Sequence, residues 1–97
     1  MAVIEVVTFR LASPVEPDEF LIADKRAATE FLYMQHGLLR RTTARGVDGQ
    51  WLVVILWASA RDADASAVAG RAEPTVSLLT SLMDPTSVTT TRYDTLE

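Results

Sequence analysis

The segment at residues 50–58 constrains the fold of this 97-residue chain more than any other, because it has no polar face. Successive side chains of a β-strand point to opposite sides of the sheet. One side of this segment would carry Trp51, Val53, Ile55 and Trp57, and the other Leu52, Val54, Leu56 and Ala58. A strand that is apolar on both faces needs cover on both. Two helices of a short chain can cover one face, so the other face predicts a second sheet, most simply that of a partner subunit.

The composition predicts one small globular domain at residues 1–97, because hydrophobic residues make up 48% of the chain and charged residues 23%. A net charge of −4 disfavours nonspecific nucleic-acid binding, so no nucleic-acid partner is expected. The chain has no cysteine, which excludes thiol nucleophiles and disulfides. Its single histidine excludes a multi-histidine metal site within one chain.

The N-terminal sequence lacks the basic region of a signal peptide and reaches Glu5 at once. No apolar run approaches membrane-spanning length. We therefore expect a cytoplasmic protein without a membrane partner.

The first half of the chain predicts a strand followed by a helix. Residues 3–11 are rich in β-branched side chains, which favours a strand. Two prolines within residues 13–17 then predict a loop, and Pro17 suits a first helical turn. Gly37 is a natural helix end. Between them, apolar residues recur at helical spacing, namely Phe20, Ala23, Ala27, Phe31 and Met34.

The second half predicts two strands, a broken helix and a last strand. Residues 38–45 are polar enough for an edge strand, and residues 46–49 predict a hairpin turn into the apolar strand. Ser59 and Asp62 have the spacing of a capping box. The helical region after them runs to about Met83, with Gly70 and Pro74 predicted to break it. Its second piece would bury Val76, Leu79 and Met83, and residues 87–93 predict a more polar strand.

The resulting order, βαββαβ, is that of the ferredoxin-like α+β arrangement with an antiparallel sheet. This arrangement places the first and third strands in the middle of the sheet, and these are the two apolar strands of the chain.

Five short segments, spread over nearly the whole chain, carry a further pattern. They are Val6-Val7-Thr8-Phe9-Arg10, Asp18-Glu19-Phe20, Gln35-His36-Gly37-Leu38-Leu39-Arg40-Arg41, Asp48-Gly49-Gln50-Trp51 and Leu56-Trp57-Ala58-Ser59. In order and spacing they resemble the antibiotic biosynthesis monooxygenase-like (ABM) family of dimeric α+β barrels. The resemblance implies a homodimer whose two sheets pack face to face, with a pocket between the sheet and the helices of each subunit.

Family members differ in function, so the resemblance leaves several activities open. It first suggests a cofactor-independent monooxygenase acting on a hydroxylated aromatic of polyketide or quinol type. A non-catalytic dimeric ligand-binding or sensing module, and a cyclase or isomerase, are the alternatives. Haem degradation is disfavoured, because the haem-degrading members share an Asn on the first strand and a His on the second helix. Here Thr8 stands near the first position, the second helical region has no histidine, and the chain has no asparagine at all.

Two residues stand out as candidates for the pocket. Trp57 matches a tryptophan that lines the pocket in several enzymatic members, and its indole offers a flat apolar wall with one N–H donor. The other interpretation of Trp57 is plain core packing. His36 has the only side chain that ordinarily titrates near neutrality and could deprotonate a phenol or anthrone as a catalytic base. It also lies at a helix C-terminus, where a cation is favoured without any catalytic role.

Other side chains are weaker candidates for substrate binding. Tyr33 could hydrogen-bond a ligand, and Thr8 could lie on the pocket floor. Arg40 and Arg41 should point to opposite faces of their strand, one into the pocket or the dimer interface and the other into solvent. The helix after Ser59 also carries several small residues, which either allow close packing or leave room for a ligand; they are Ala63, Ala65, Ala67, Ala69 and Gly70.

Overall fold

The computed structural model describes residues 1–96, which form four strands and three α-helices. In chain order these are β1 (Val3–Arg10), α1 (Pro17–Glu30), β2 (Leu38–Arg45), β3 (Gln50–Trp57), α2 (Ala60–Gly70), α3 (Pro74–Ser81) and β4 (Thr89–Asp94). A short 3-10 helix at Leu32–Met34 follows α1.

The four strands form one antiparallel sheet in the order β2-β3-β1-β4. The two apolar strands are therefore the central ones, and the two polar strands lie at the edges. This confirms the predicted ferredoxin-like α+β fold. The position of the polar strands at the edges has a physical reason, because polar and charged side chains on edge strands discourage pairing with other chains.

The helices cover one face of the sheet. On β3 that face carries Trp51, Val53 and Trp57, which are buried, and on β1 it carries Val3 and Phe9. Phe20 of α1 packs onto both central strands, with its ring centroid 5.3 Å from that of Phe9 and 5.1 Å from the Trp51 ring. Alternation along the strands therefore explains the core, because every second residue points to the helices.

The opposite face of the sheet is apolar at its centre, and no helix formed by residues 1–96 lies on it. Leu52, Val54 and Leu56 of β3 lie there beside Ile4 and Val6 of β1, and all five are only partly buried. The sequence predicted that one chain covers a single face of β3, and the burial pattern confirms this. We name the outer face of the two central strands the open face; it consists of Ile4, Val6, Thr8, Leu52, Val54 and Leu56.

The connection between β2 and β3 is the predicted hairpin turn. Asp48 and Gly49 have φ angles of 56° and 76°, and the N–H of Gln50 donates to the carbonyl of Val47 over 3.2 Å. Two successive residues with positive φ define the turn type whose twist matches paired strands, and Asp-Gly is a favoured pair for it.

The helical region after β3 begins and breaks as predicted. The Ser59 hydroxyl accepts from the backbone N–H of Asp62 over 3.1 Å and donates to the Asp62 carboxylate over 2.9 Å. Helix α2 ends at Gly70, and α3 begins at Pro74, where a proline suits the first turn. Leu79 is buried as expected, whereas Met83 lies beyond the end of α3 and pairs with Leu11 in an isolated bridge.

The end of α1 differs from the prediction. The helical spacing ran on to Met34, but α1 ends at Glu30, and Phe31 has non-helical angles (φ −139°, ψ −61°). The chain then tightens into the 3-10 turn, which commonly follows a helix end. Met34 is exposed as a result. None of the helices in residues 1–96 is sufficiently long and apolar to span a bilayer.

Candidate ligand-binding site

A cavity of about 630 Å³ lies between the helix-covered face of the sheet and helices α2 and α3. Its volume is within the range of about 300–1,000 Å³ that is typical of small-molecule sites. Glu5, Ile55 and Trp57 line it from the two central strands, and Phe31 and Leu32 line it from the segment after α1. The altered direction of the chain at Phe31 thus contributes part of the cavity wall.

Helix α2 makes room for this cavity with a face of small side chains. Ala63, Ser66, Ala67 and Gly70 line it, at the i, i+3, i+4 and i+7 spacing that places residues on one helix face. A Cβ atom added to Gly70 would lie 3.6 Å from Val76 and 3.8 Å from Phe31, within the cavity lining. The sequence left open whether the small residues pack or leave space. In the structure Ala63, Ala67 and Gly70 line the cavity, whereas Ala65 and Ala69 are exposed and do not line it.

Trp57 forms the inner wall of the cavity at the end of β3. Only 2% of the residue is exposed, and it packs with Val3 and Ala63 in a small cluster apart from the main core. Its indole Nε1–H donates to Glu5 Oε1 over 2.7 Å. The ring therefore offers an apolar surface to the cavity while its polar N–H is satisfied within the protein.

Glu5 is the carboxylate of the cavity, and it is held by partners on two elements. Its Oε2 accepts from Arg92 Nη2 of β4 over 2.9 Å, while Arg92 Nη1 reaches Asp64 of α2 at 3.0 Å. The hydrogen bond to Glu5, with a second to Asp64, raises the pKa of Arg92 above the ordinary arginine value. The Glu5 side chain is only 15% exposed. A carboxylate with this burial needs such partners, since an unpaired buried charge is costly.

The outer part of the cavity is lined by exposed residues of α3 and of the segment before it. They supply hydroxyl groups and one cation, namely Arg71, Ser77, Thr80 and Ser81. The cavity thus has an apolar middle, a carboxylate at the sheet and a polar outer edge.

Of the residues predicted for the site, only Trp57 lines this cavity. His36 lies outside it, in the loop before β2: its side chain is 95% exposed, and its Nε2 is 3.8 Å from Asp62. Tyr33 is 59% exposed and also lies outside the cavity lining. The end of α1 explains both positions, because the 3-10 turn and the loop after it leave Tyr33 and His36 exposed to solvent.

Thr8 and Arg40 lie on the other side of the sheet. Thr8 pairs with Leu52 and Arg40 pairs with Leu56, so both share the orientation of the open face. Thr8 lines a separate depression of about 220 Å³ there, with Ala44 and Leu52. The predicted placement of Thr8 on the pocket floor therefore differs from the structure. The reason is strand parity: the helices cover the odd-numbered residues of β1, and Thr8 is even-numbered.

Arg40 and Arg41 do point to opposite faces. Arg41 is oriented toward the helices, but it does not line the cavity: its Nη2 donates to Asp24 Oδ1 of α1 over 2.7 Å, and Thr43 donates to Asp24 Oδ2 over 2.8 Å. This pair fixes α1 against β2.

Glu5 is the acidic cavity residue, and the sequence analysis did not select it. The signal for it was present, because Glu5 is an acidic residue in the middle of an apolar central strand. A charge at such a position needs a partner or a function. What the sequence could not give is the partner, since Arg92 lies 87 residues further along the chain.

Comparisons with known proteins identify the fold. No family model matches the sequence, and no curated protein matches it in sequence either. Among solved structures, SnoaB, a cofactor-independent oxygenase from Streptomyces nogalater, is similar with a TM-score of 0.80 at 19% identity, over 99% of this chain and 94% of that one. A candidate antibiotic biosynthesis monooxygenase from Caulobacter crescentus CB15 gives 0.81 at 17% identity, over 99% and 91%.

A third similar structure is a conserved protein from Methanosarcina mazei Go1, with a TM-score of 0.78 at 15% identity over 96% of this chain and 91% of that one. Each of these structures is matched over more than nine-tenths of its length. At these identities the similarity establishes the fold, and this chain has the fold of the antibiotic biosynthesis monooxygenase-like structures, as its sequence motifs predicted.

Proposed function

We propose that this protein is a cofactor-independent monooxygenase that binds a hydroxylated aromatic molecule, of polyketide or quinol type, between the sheet and helices α2 and α3. The observation that carries the proposal is the cavity itself, which has a tryptophan wall beside a carboxylate. The fold supports it further, because SnoaB is described as a cofactor-independent oxygenase.

Oxidation of such an aromatic by molecular oxygen needs few protein groups. A proton acceptor removes a proton from an anthrone or quinol, and the resulting anion transfers one electron to molecular oxygen. For an anthrone, the two radicals combine into a peroxide at carbon, which takes up a proton and loses water to leave a carbonyl. Oxygen is the oxidant, and one of its atoms leaves as water. The protein orients the aromatic, excludes bulk water and accepts the first proton.

His36 and Glu5 are the two candidates for the proton acceptor. Histidine is the usual general base in enzymes, which favours His36. Its position outside the cavity lining gives that role no support, because a general base must come within hydrogen-bond reach of the proton it removes. Glu5 lines the cavity and meets the geometric requirement better. We therefore propose Glu5 as the acceptor, with Trp57 as the surface on which the aromatic rings pack.

Oxygen consumption tests this function most directly. The protein is mixed with an anthrone or a naphthoquinol in air-saturated buffer, and dissolved oxygen and the absorbance of the aromatic are recorded together. Oxygen uptake that matches the absorbance change, and is lost in Trp57→Ala, supports the monooxygenase. Binding without oxygen uptake would favour a ligand-binding module instead, and conversion without uptake a cyclase or isomerase. Loss of activity in Glu5→Gln but not in His36→Gln supports Glu5 as the acceptor.

The open face supports a proposal about assembly. Its apolar side chains are half-exposed in the isolated chain, although they belong to the two central strands. Covering one large apolar side chain is worth about 1.5–3 kcal/mol, so leaving this face in water is unfavourable. We propose that a second copy of the chain covers it, with the two sheets face to face. The cavity lies on the helix side of each sheet and stays separate from this interface.

A further inference from the structure

Glu5 is the acidic side chain among the residues that line the cavity in the described part of the chain. The Glu5 carboxylate, which is paired with Arg92, lies at the sheet end of the cavity, next to the apolar surfaces of Ile55 and Trp57. A carboxylate has about four acceptor positions on its two oxygens and no hydrogen to donate. The contacts with Trp57 and Arg92 use one position on each oxygen. Within residues 1–96, the side-chain hydrogen bonds to Glu5 come from Trp57 and Arg92, which leaves further acceptor positions for a ligand.

We infer that Glu5 determines which ligands the cavity accepts: it selects aromatics that present a hydroxyl or N–H donor at the sheet end, over their O-methylated and anionic counterparts. The inference rests on the proposed function, since it concerns the specificity of the same site. It goes beyond that function by assigning the selection to one residue and by stating the property of the ligand that is recognised.

The geometry of Glu5 is suited to recognition because the carboxylate is fixed before a ligand arrives. Oε1 is held by the indole of β3 at 2.7 Å, and Oε2 by the guanidinium of β4 at 2.9 Å, while Glu5 itself lies on the central strand β1. Its acceptor positions therefore need little reordering on binding, which lowers the entropic cost of the interaction.

The apolar lining around Glu5 makes the carboxylate discriminate between ligands with and without a hydrogen-bond donor. A ligand that fills the apolar middle of the cavity displaces water from the carboxylate, and a ligand without a donor leaves the carboxylate short of a partner. An anionic ligand would in addition bring a like charge toward it. A ligand hydroxyl avoids both costs by donating to Glu5. Sites built to bind a hydroxyl reject the analogue that lacks it more strongly than apolar pockets reject an added group.

A matched ligand pair separates this inference from simple apolar binding. 2-Naphthol and 2-methoxynaphthalene have the same ring system, but only the naphthol can donate. In a purely apolar cavity the ether would bind at least as tightly, because it carries an additional methyl group. Tighter binding of the naphthol is therefore a specific signature of an acceptor in the cavity.

The experiment is isothermal titration calorimetry of the wild-type protein with 2-naphthol, 2-methoxynaphthalene and 2-naphthoate. We expect the naphthol to bind about tenfold or more tightly than the ether, as a hydrogen bond to a charged group implies. We expect the naphthoate to bind more weakly than the naphthol. Glu5→Gln should reduce the preference for naphthol over ether to about threefold or less, because an amide also offers a donor to the ether oxygen.

Arg92→Gln is the matched control for Glu5→Gln. It breaks the same ion pair from the other side, but Arg92 does not line the cavity. The control should retain the naphthol preference. An equal loss of preference in both variants would mean that the ion pair, rather than the carboxylate, determines selectivity, and would overturn the inference.

The wild-type comparison needs no variant to fold, so it decides the inference alone if Glu5→Gln is unstable. Equal affinity for naphthol and ether would overturn the role of Glu5 while leaving the aromatic-binding cavity intact. Failure of all three compounds to bind would contradict both the inference and the proposed function. Oxygen uptake without a preference for the naphthol would overturn the inference alone.

Discussion

Trp57 donates its indole N–H to Glu5 across the two central strands, with 2.7 Å between Nε1 and Oε1. The bond joins the apolar wall of the cavity to its carboxylate, so the two main features of the site are positioned by each other. Trp57 pairs with Val3 in the sheet register, and Glu5 is two residues further along β1, on the same face. The contact is therefore a diagonal cross-strand pair.

Substitutions at Trp57 should separate its role as hydrogen-bond donor to Glu5 from its role as the aromatic wall of the cavity. Trp57→Phe keeps an aromatic wall but removes the N–H, and we expect it to lower the free energy of unfolding by about 1–3 kcal/mol, since Glu5 loses a hydrogen bond to a charged group. Trp57→Ala removes the wall as well and should cost about 3–5 kcal/mol. Urea unfolding followed by circular dichroism measures both, and calorimetry with 2-naphthol should show binding lost in the alanine variant only.

Trp51→Phe is the control for this pair. Trp51 lies on the same face of β3 but packs against Phe20 in the main core and does not line the large cavity. Its replacement should leave naphthol affinity unchanged. Unaltered affinity in Trp57→Ala would contradict the assignment of Trp57 to the site.

The sequence predicted the fold well because strand polarity and helix spacing report burial directly. The two-sided apolar β3, the polar edges and the break at Gly70 and Pro74 were all visible in the order of residues. The site was harder to predict. Trp57 was found through a family motif. The position of the Glu5 carboxylate depends on its partner Arg92 in β4, and the position of His36 depends on where α1 ends. Which face of a strand the helices cover is set by tertiary packing, and local sequence does not record it.

Gly37 should not tolerate a side chain. Its φ angle is +83°, and a Cβ atom would overlap the side chain of Asp62, which belongs to the capping box of α2. The backbone conformation alone should cost a non-glycine residue about 1–3 kcal/mol, and the overlap adds to this. We expect Gly37→Ala to lower the free energy of unfolding by more than about 2 kcal/mol in urea titrations.

Two comparisons test whether the overlap with Asp62 contributes to the expected loss of stability in Gly37→Ala. Gly46→Ala is the control, because its Cβ would lie 3.6 Å from the Gln50 carbonyl, an ordinary contact, and should change stability by no more than about 0.5 kcal/mol. In an Asp62→Gly background, Gly37→Ala should cost less than in the wild type, since the overlapping atoms are absent. Strict additivity of the two substitutions would show that the overlap is not the cause.

The buried pair of Asp24 and Arg41 should be strongly coupled. Their side chains are 10% and 6% exposed, and they join α1 to β2. Asp24→Ala leaves the guanidinium buried without its carboxylate, so we expect a loss of about 3–5 kcal/mol in the free energy of unfolding. The double variant Asp24→Leu with Arg41→Met should recover much of that loss, because an apolar pair of similar size removes the unpaired charge.

The pair of Arg26 and Glu30 on the exposed side of α1 provides the matched control. It has the same 2.7 Å separation between nitrogen and oxygen, but both side chains are more than half exposed. Glu30→Ala should therefore cost about 0.5 kcal/mol or less. Urea titration measures all three variants, and similar losses for Asp24→Ala and Glu30→Ala would argue that burial does not strengthen the inner pair.

The open face should carry the contact between two copies of the chain. Val54 is at its centre, paired with Val6 on one side and Thr42 on the other. In the proposed dimer Val54→Arg would place a charge between two apolar sheets, where an unpaired charge is very costly. We therefore expect sedimentation velocity to give twice the chain mass for the wild type and the single-chain mass for Val54→Arg.

Ile22→Arg makes the same change on α1, at a residue that is 71% exposed and lies outside the open face. It should leave the dimer intact, which would show that the effect of Val54→Arg depends on its position. Because the cavity is formed on the helix side of one chain, monomeric Val54→Arg should still bind 2-naphthol. A monomeric wild type at micromolar concentration would contradict the proposed assembly, and loss of naphthol binding on dissociation would show that the second copy contributes to the site.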